Sequence, residues 1–278
     1  GRVSERKTIS TGRNLPVAIA VGLVLGALVL VTLLTVKVSF LALVALLVGV
    51  ALWELSHAVS TKQIRIPVVP IAVGGAVMLA LAYWRGPQAA VAALAVTFIA
   101  ILAWRLPGGA DGYLRDVMAG AFALIYLPTM AIFVAFMLTQ PDGPHRALLF
   151  VILAVCSDVG GYFSGIMVGR HPMAPTISPK KTWEGLAGSA VACLAGGAIG
   201  LTLLLHGRIW QGLILGAGAV TAATLGDLVE SMIKRDLETK DMSTILPGHG
   251  GVLDRLDSLL IVAPVSWLLM TIFLAGGH

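Results

Sequence analysis

The sequence predicts an all-α, polytopic integral membrane protein with about nine transmembrane helices and a cytoplasmic N-terminus. Three observations carry this reading. Of 278 residues, 58% are hydrophobic and only 12% charged, with a mean hydropathy of +0.93, whereas soluble domains carry about 25% charge. Nine apolar segments follow one another, most of them near the roughly 20 residues that cross a bilayer as a helix. The basic residues fall overwhelmingly on one side of the resulting weave.

The segments run over 16–36, 39–59, 67–84, 88–104, 117–139, 147–169, 186–206, 209–229 and 258–275. The first lacks a small-residue cleavage site and is followed by eight more, so it reads as a membrane helix and not as a removed leader. The second is apolar except for Trp53-Glu54. The third and fourth are short. Pro67, Pro70 and Pro128 sit at or inside segments, where they start or kink helices, and Pro107-Gly108-Gly109 marks a turn. From the sixth segment onward, polar groups enter the helices and the connecting loops lengthen. The division expected is an N-terminal helical scaffold over 1–115 and a functional region over 116–278.

The N-terminal tail and the loops after the second, fourth, sixth and eighth segments hold 15 of the 19 Lys and Arg residues; Lys37, Arg85, Arg146 and Arg208 lie on the other side. By the positive-inside rule the first set is cytoplasmic. The same bias accounts for a pI near 9.5, through attraction to anionic membrane lipids. With no basic helix or aromatic-interleaved patch, nucleic acid is not an expected partner. Cys156 and Cys193 fall inside apolar segments and read as small buried hydrophobes, not a disulfide.

Seven of the fourteen carboxylates crowd into residues 227–257: Asp227, Glu230, Asp236, Glu238, Asp241, Asp254 and Asp257. Such a cluster at one membrane face suits phosphate or metal chemistry. Asp227, Glu230, Ser231 and Lys234 lie within about a 100° arc of one helix, although Glu230 and Lys234 alone could be a simple ion pair. Asp254 and Asp257, three apart, share a face; Asp is also common at helix starts for structural reasons. Pro247-Gly248-His249-Gly250-Gly251 supplies backbone that can approach an anion closely. Upstream, Asp158, Tyr162, Gly165 and Gly169 recur on one helical face, and Gly161, Gly165 and Gly169 form small-xxx-small steps. Asp158 near mid-span is costly as a mere packing group. Ser178-Pro179 has the form of an N-cap and first helical residue, with Lys180 and Lys181 following where an anion would suit the helix start.

These residues resemble the signature of the phosphatidate cytidylyltransferase (CDP-diacylglycerol synthase) family: Ser231, Lys234-Arg235, Lys240-Asp241, Pro247-Gly248-His249-Gly250-Gly251 and Asp254-Arg255-Leu256-Asp257, with Asp158, Tyr162, Gly169-Arg170, Ser178-Pro179-Lys180-Lys181-Thr182 and Glu184-Gly185 upstream. The resemblance covers about 100 residues, 157–258. It implies conversion of CTP and phosphatidic acid to CDP-diacylglycerol and pyrophosphate, with Mg²⁺, a K⁺ ion beside it, and a homodimer. It implies Asp227 and Asp254 as metal ligands, joined by Ser231 and Asp257. Catalytic roles would fall to these four with Lys234, Arg235, Lys240, Asp241 and His249. Asp158, Tyr162, Arg170, Ser178, Lys180, Lys181, Glu184, Gly250, Gly251 and Arg255 would bind substrate. The expected location is the bacterial plasma (inner) membrane, with the active site facing the cytoplasm. An ion- or proton-coupled transporter is the alternative from another class, with Asp158, Asp227 and Glu230 as a pathway; no inverted repeat supports it.

Overall fold

The computed structural model describes residues 15–239, 241–243, 245 and 250–274, with side chains from Gly22 onward except those of Pro179 and Lys180. It is 82% helical. The helices are α1 (Leu15–Thr35), α2 (Lys37–Ser60), α3 (Val68–Trp84), α4 (Pro87–Arg105), α5 (Tyr113–Leu124), α6 (Met130–Leu138), α7 (Gly143–Val168), α8 (Trp183–Leu205), α9 (Ile209–Asp236) and α10 (Leu253–Leu274). Each predicted apolar segment is helical. Among the described residues seven helices, counting α5–α6 as one, are long and apolar enough to cross a membrane; Gly22–Thr35, the part of α1 described with side chains, and Val68–Trp84 are shorter apolar stretches.

Local chemistry sets the irregularities. Pro128 has no N–H and cannot continue an α-helical ladder. The chain answers with a π-helical turn, Ile125–Thr129, joining α5 to α6, and the Thr129 hydroxyl donates to the Leu124 carbonyl at 2.8 Å. Arg105 and Asp116 close the loop between α4 and α5: Asp116, 1% exposed, accepts from Arg105 Nε at 3.0 Å and from the Arg65 backbone N–H at 3.0 Å. Lys37 Nζ donates to the Leu138 and Gln140 carbonyls, both at 3.0 Å; the first is a terminal carbonyl of α6 that the helix cannot pair, and the second also accepts the Gly143 N–H.

Two buried apolar clusters hold the bundle, and each draws on both halves of the chain. One joins Leu52, Leu55, Ile71, Met78 and Leu127 to Leu253 and Leu260. The other joins Leu33 and Phe40 to Leu149, Leu153, Leu201, Leu215 and Met270. On α7, Gly161 and Gly165 allow the close approach to α8 that their spacing predicts: a Cβ on Gly185 would lie 3.2 Å from the Gly161 carbonyl oxygen and 3.7 Å from Gly165 Cα.

The segment between α7 and α8 departs from expectation. Ser178 and Pro179 do not start a helix. They begin strand β2 (Ser178–Thr182), which pairs antiparallel with β1 (Pro172–Ala174) in the register Pro172↔Thr182 and Ala174↔Ser178. The N-cap of α8 is Thr182, whose hydroxyl accepts the Gly185 N–H at 3.1 Å. Lys181 therefore belongs to a strand, one residue ahead of the α8 N-cap and not inside the first turn of a helix.

Candidate active site

The polar residues converge because four helices and the hairpin enclose one cavity of about 630 Å³. α7 contributes Ser157, Asp158, Gly161, Tyr162 and Gly165; the hairpin contributes Lys181 and Thr182; α8 contributes Gly185 and Ser189. α9 contributes Thr224, Asp227, Glu230, Ser231 and Lys234, and Asp241, Asp254, Arg255 and Asp257 complete the wall.

The helix ends reach this cavity by extending beyond their apolar segments. α9 continues past 229 to Asp236, and α10 begins at Leu253 rather than 258. The polar arc predicted for α9 is thus one continuous helical face. Gly226 fixes its pairing with α10: a Cβ there would lie 3.0 Å from Ser258 Cα. Only a residue without a side chain lets the backbones approach so closely, and that approach sets Asp227 on the same wall as Asp257.

Ion pairs order the floor. Lys181 Nζ lies 2.6 Å from Asp227 Oδ2 and links the hairpin to α9. Lys234 Nζ stands between Glu230 Oε2 at 2.7 Å and Asp254 Oδ1 at 3.0 Å. The helical ion pair of Glu230 and Lys234 does form, and Lys234 has the second partner besides. Asp254 Oδ2 accepts the Gly251 N–H at 2.7 Å and the Met242 N–H at 3.1 Å, so its structural role at the helix start and its place in the cavity coexist. Asp257 Oδ1 accepts the Ser258 N–H at 2.6 Å. Glu230 Oε1 is buried and has no hydrogen-bond partner among the described residues.

Other expected residues lie elsewhere. Arg235 points away from the cavity, donating Nε–H to the Ile177 carbonyl at 3.1 Å and so holding the hairpin. Glu184 accepts the Arg170 and His171 backbone N–H groups, both at 3.2 Å, and pairs with His171 Nδ1 at 2.5 Å. Arg170, Ser178, Glu184, Gly250 and Gly251 do not line the cavity; Glu184 shapes the hairpin instead. Lys240, His249 and the Lys180 side chain lie outside the described residues.

Two features escape sequence reasoning. Tyr126, from the π-turn, is 5% exposed and its hydroxyl has no partner among the described residues. Glu54 of α2 is fully buried and accepts the Val252 N–H at 2.9 Å and the Leu253 N–H at 2.7 Å. An acid inside an apolar helix signals such a role, but its partner cannot be read from spacing.

The donor set also bears on a metal. Among the described residues no three His, Cys, Asp or Glu side chains converge as a ready cage. Among the described residues the cavity nonetheless carries six carboxylates (Asp158, Asp227, Glu230, Asp241, Asp254, Asp257) against three basic side chains (Lys181, Lys234, Arg255). Carboxylates in this number suit phosphate that arrives with a cation. Mg²⁺ carried with phosphates needs only about one or two protein carboxylates, and the residues present fit that arrangement.

A membrane-embedded helical bundle with a charged cavity of this kind fits an enzyme acting on phosphate compounds. The chain belongs to the cytidylyltransferase family, whose model matches residues 16–273. It is similar to a phosphatidate cytidylyltransferase of Mycobacterium bovis, 38% identical over 96% of this chain and 91% of that protein. One of Mycobacterium leprae is 37% identical over 98% and 92%. One of Haemophilus influenzae is 43% identical over 42% and 43%.

Proposed function

We infer that the chain is a membrane phosphatidate cytidylyltransferase, converting CTP and phosphatidic acid to CDP-diacylglycerol and pyrophosphate. One observation carries the reading within the family: a single cavity joins the polar ends of α9 and α10 to an α7 wall whose neighbouring residues are apolar and exposed, among them Phe163, Ile166 and Met167. A nucleotide needs the first surface and a lipid the second.

A phosphatidate oxygen, anionic at neutral pH, attacks the α-phosphorus of CTP; the new P–O bond forms as the bond to the β-phosphate oxygen breaks, and pyrophosphate leaves. No strong general base is required. Catalysis rests on positioning and on neutralising charge. Lys181, Lys234 and Arg255 are the cavity's cations among the described residues and would hold phosphate oxygens. Asp227 and Asp254, with Ser231 and Asp257, would hold Mg²⁺, which supplies neutralisation of the phosphate charge. A K⁺ ion and a homodimer enter from the family resemblance. The excess of Lys and Arg on one set of loops supports nine spans, a cytoplasmic N-terminus and a cavity open to the cytoplasm; the bacterial relatives support the bacterial inner membrane.

The test is purified protein in detergent micelles with radiolabelled CTP and phosphatidate. Lipid-extractable label formed only when both substrates and Mg²⁺ are present is the expected result; absence of labelled lipid overturns the reading.

A further inference from the structure

The buried acid of α2 has no place in the reaction as described, yet its contacts lead to the cavity wall. Glu54 forms no salt bridge among the described residues. A buried carboxylate without a cation is costly unless hydrogen bonds satisfy it. Here three donors do so: the Ser243 hydroxyl at 2.5 Å and the backbone N–H groups of Val252 and Leu253. Two of these are orphan donors at the start of α10, where the helix dipole also favours an anion. Gly251 is shaped to the same contact, since a Cβ on it would lie 2.8 Å from Glu54 Oε2.

The two acids at this turn divide its donors. Asp254 Oδ2 takes the N–H groups of Gly251 and Met242, while Glu54 takes those of Val252 and Leu253. With four donors shared in this way, Asp254 Oδ1 is left to face Lys234 in the cavity. Without Glu54, Val252 and Leu253 would compete for the Asp254 carboxylate or pull the turn toward another acceptor. An apolar residue on α2 would leave the Val252 and Leu253 N–H groups without this acceptor, so packing alone does not explain the acid.

We propose that Glu54 is a positioning residue for the reaction, fixing the start of α10 so that Asp254 and Asp257 meet the α9 carboxylates in register. The inference rests on the transferase reading above. Its test uses the full chain in detergent with Glu54→Gln and Glu54→Ala. Glu54→Gln keeps a carbonyl acceptor but loses the charge and one acceptor. Supporting groups of this kind typically change activity or metal affinity by about 10–100-fold. The expected result is a kcat loss of about that size in Glu54→Gln, with KM for phosphatidate within about twofold and a higher Mg²⁺ requirement. Amide hydrogen exchange should rise in peptides covering 250–257 and stay unchanged in α7 and α8. A folded Glu54→Gln enzyme with wild-type kcat and exchange overturns the proposal. So does a Glu54→Gln protein that cannot be obtained folded, because the acid would then serve stability alone. Wild-type protein without activity would sink the transferase reading instead, and exchange at 250–257 would still report whether Glu54 holds the turn.

Discussion

The Lys181 ammonium lies 2.6 Å from Asp227 Oδ2, joining a strand of the hairpin to the first acid of the polar face of α9. Both side chains remain about a quarter to a third exposed in the cavity, at 26% and 30%, so the pair can open to admit phosphate. Replacing Lys181 with Met should lower CDP-diacylglycerol formation on the order of 10²-fold, the scale of losing one preorganised donor. Stability should fall by less than about 1 kcal/mol, since a partly exposed pair contributes little. Lys181→Arg should recover part of the activity. Product assays with thermal unfolding separate the two effects, and a Met variant within twofold of wild type would remove Lys181 from the reaction.

Asp227→Asn keeps the side chain's shape and removes its charge. Activity should fall about 10²-fold or more, because several kcal/mol of transition-state charge stabilisation depend on the ion it would help to hold. The variant should remain folded, and raising Mg²⁺ should restore little. Near wild-type turnover with Mg²⁺ present would make the ligand assignment wrong.

Lys234 holds two buried carboxylates at once. Lys234→Met leaves Glu230 and Asp254 without their shared cation, and breaking a buried pair costs about 3–5 kcal/mol. The 19% exposure of the Lys234 side chain places the effect near the lower end. Adding Glu230→Gln should return much of the stability without returning activity, since Asp254 still lacks its cation. Thermal denaturation of the single and double variants is the measurement.

Gly226→Ala would place a methyl group 3.0 Å from Ser258 Cα and closer still to the Asp257 carbonyl oxygen. Forcing two backbones apart costs about 1–3 kcal/mol and should reduce turnover by shifting Asp227 against Asp257. Gly49→Ala is the control: nothing lies within 4 Å of a Cβ there, and Ala favours a helix over Gly by about 1 kcal/mol. Equal unfolding temperatures for the two variants would contradict the close α9–α10 contact.

Lys62 and Glu238 give a pH dependence of defined sign. Their hydrogen bond, 2.8 Å long, lowers Glu238 and raises Lys62 from their ordinary values. The Glu238 contribution is present above the usual glutamate range and is lost as pH falls through its depressed value. The Lys62 contribution is present below the usual lysine range and is lost as pH rises through its elevated one. Between these limits stability should not vary on account of the pair. Comparing wild type with Lys62→Ala across pH should show a small difference that is flat near neutrality and shrinks at both extremes.

The apolar helices were legible because length and lack of charge are properties of each segment alone. The α9 arc was legible for a similar reason: helical spacing places Asp227, Glu230, Ser231 and Lys234 together whatever surrounds them. Helix ends were less so, since α9 and α10 keep helical geometry through polar residues that mark the edge of the apolar run. Ser178-Pro179 misled because the same dipeptide suits a strand, and pairing with Pro172–Ala174 decided between the two. Arg235 sits on the expected helix, but its partner, the Ile177 carbonyl, lies 58 residues away and turns it from the cavity. Glu54 shows the limit most sharply, its acceptor role being set by backbone groups that carry no residue-specific signal.

The distance along the chain between Glu54 and its donors has a consequence for biosynthesis. Val252 is made 198 residues after Glu54, so α2 enters the membrane long before anything can satisfy its carboxyl group. A nascent chain stopped ahead of α10 carries an unpaired acid in a half-built bundle, at a cost of about 1–3 kcal/mol or more. Docking of the last helix relieves that cost and sets the cavity wall in the same movement. A chain that has not finished folding therefore has no competent site to expose.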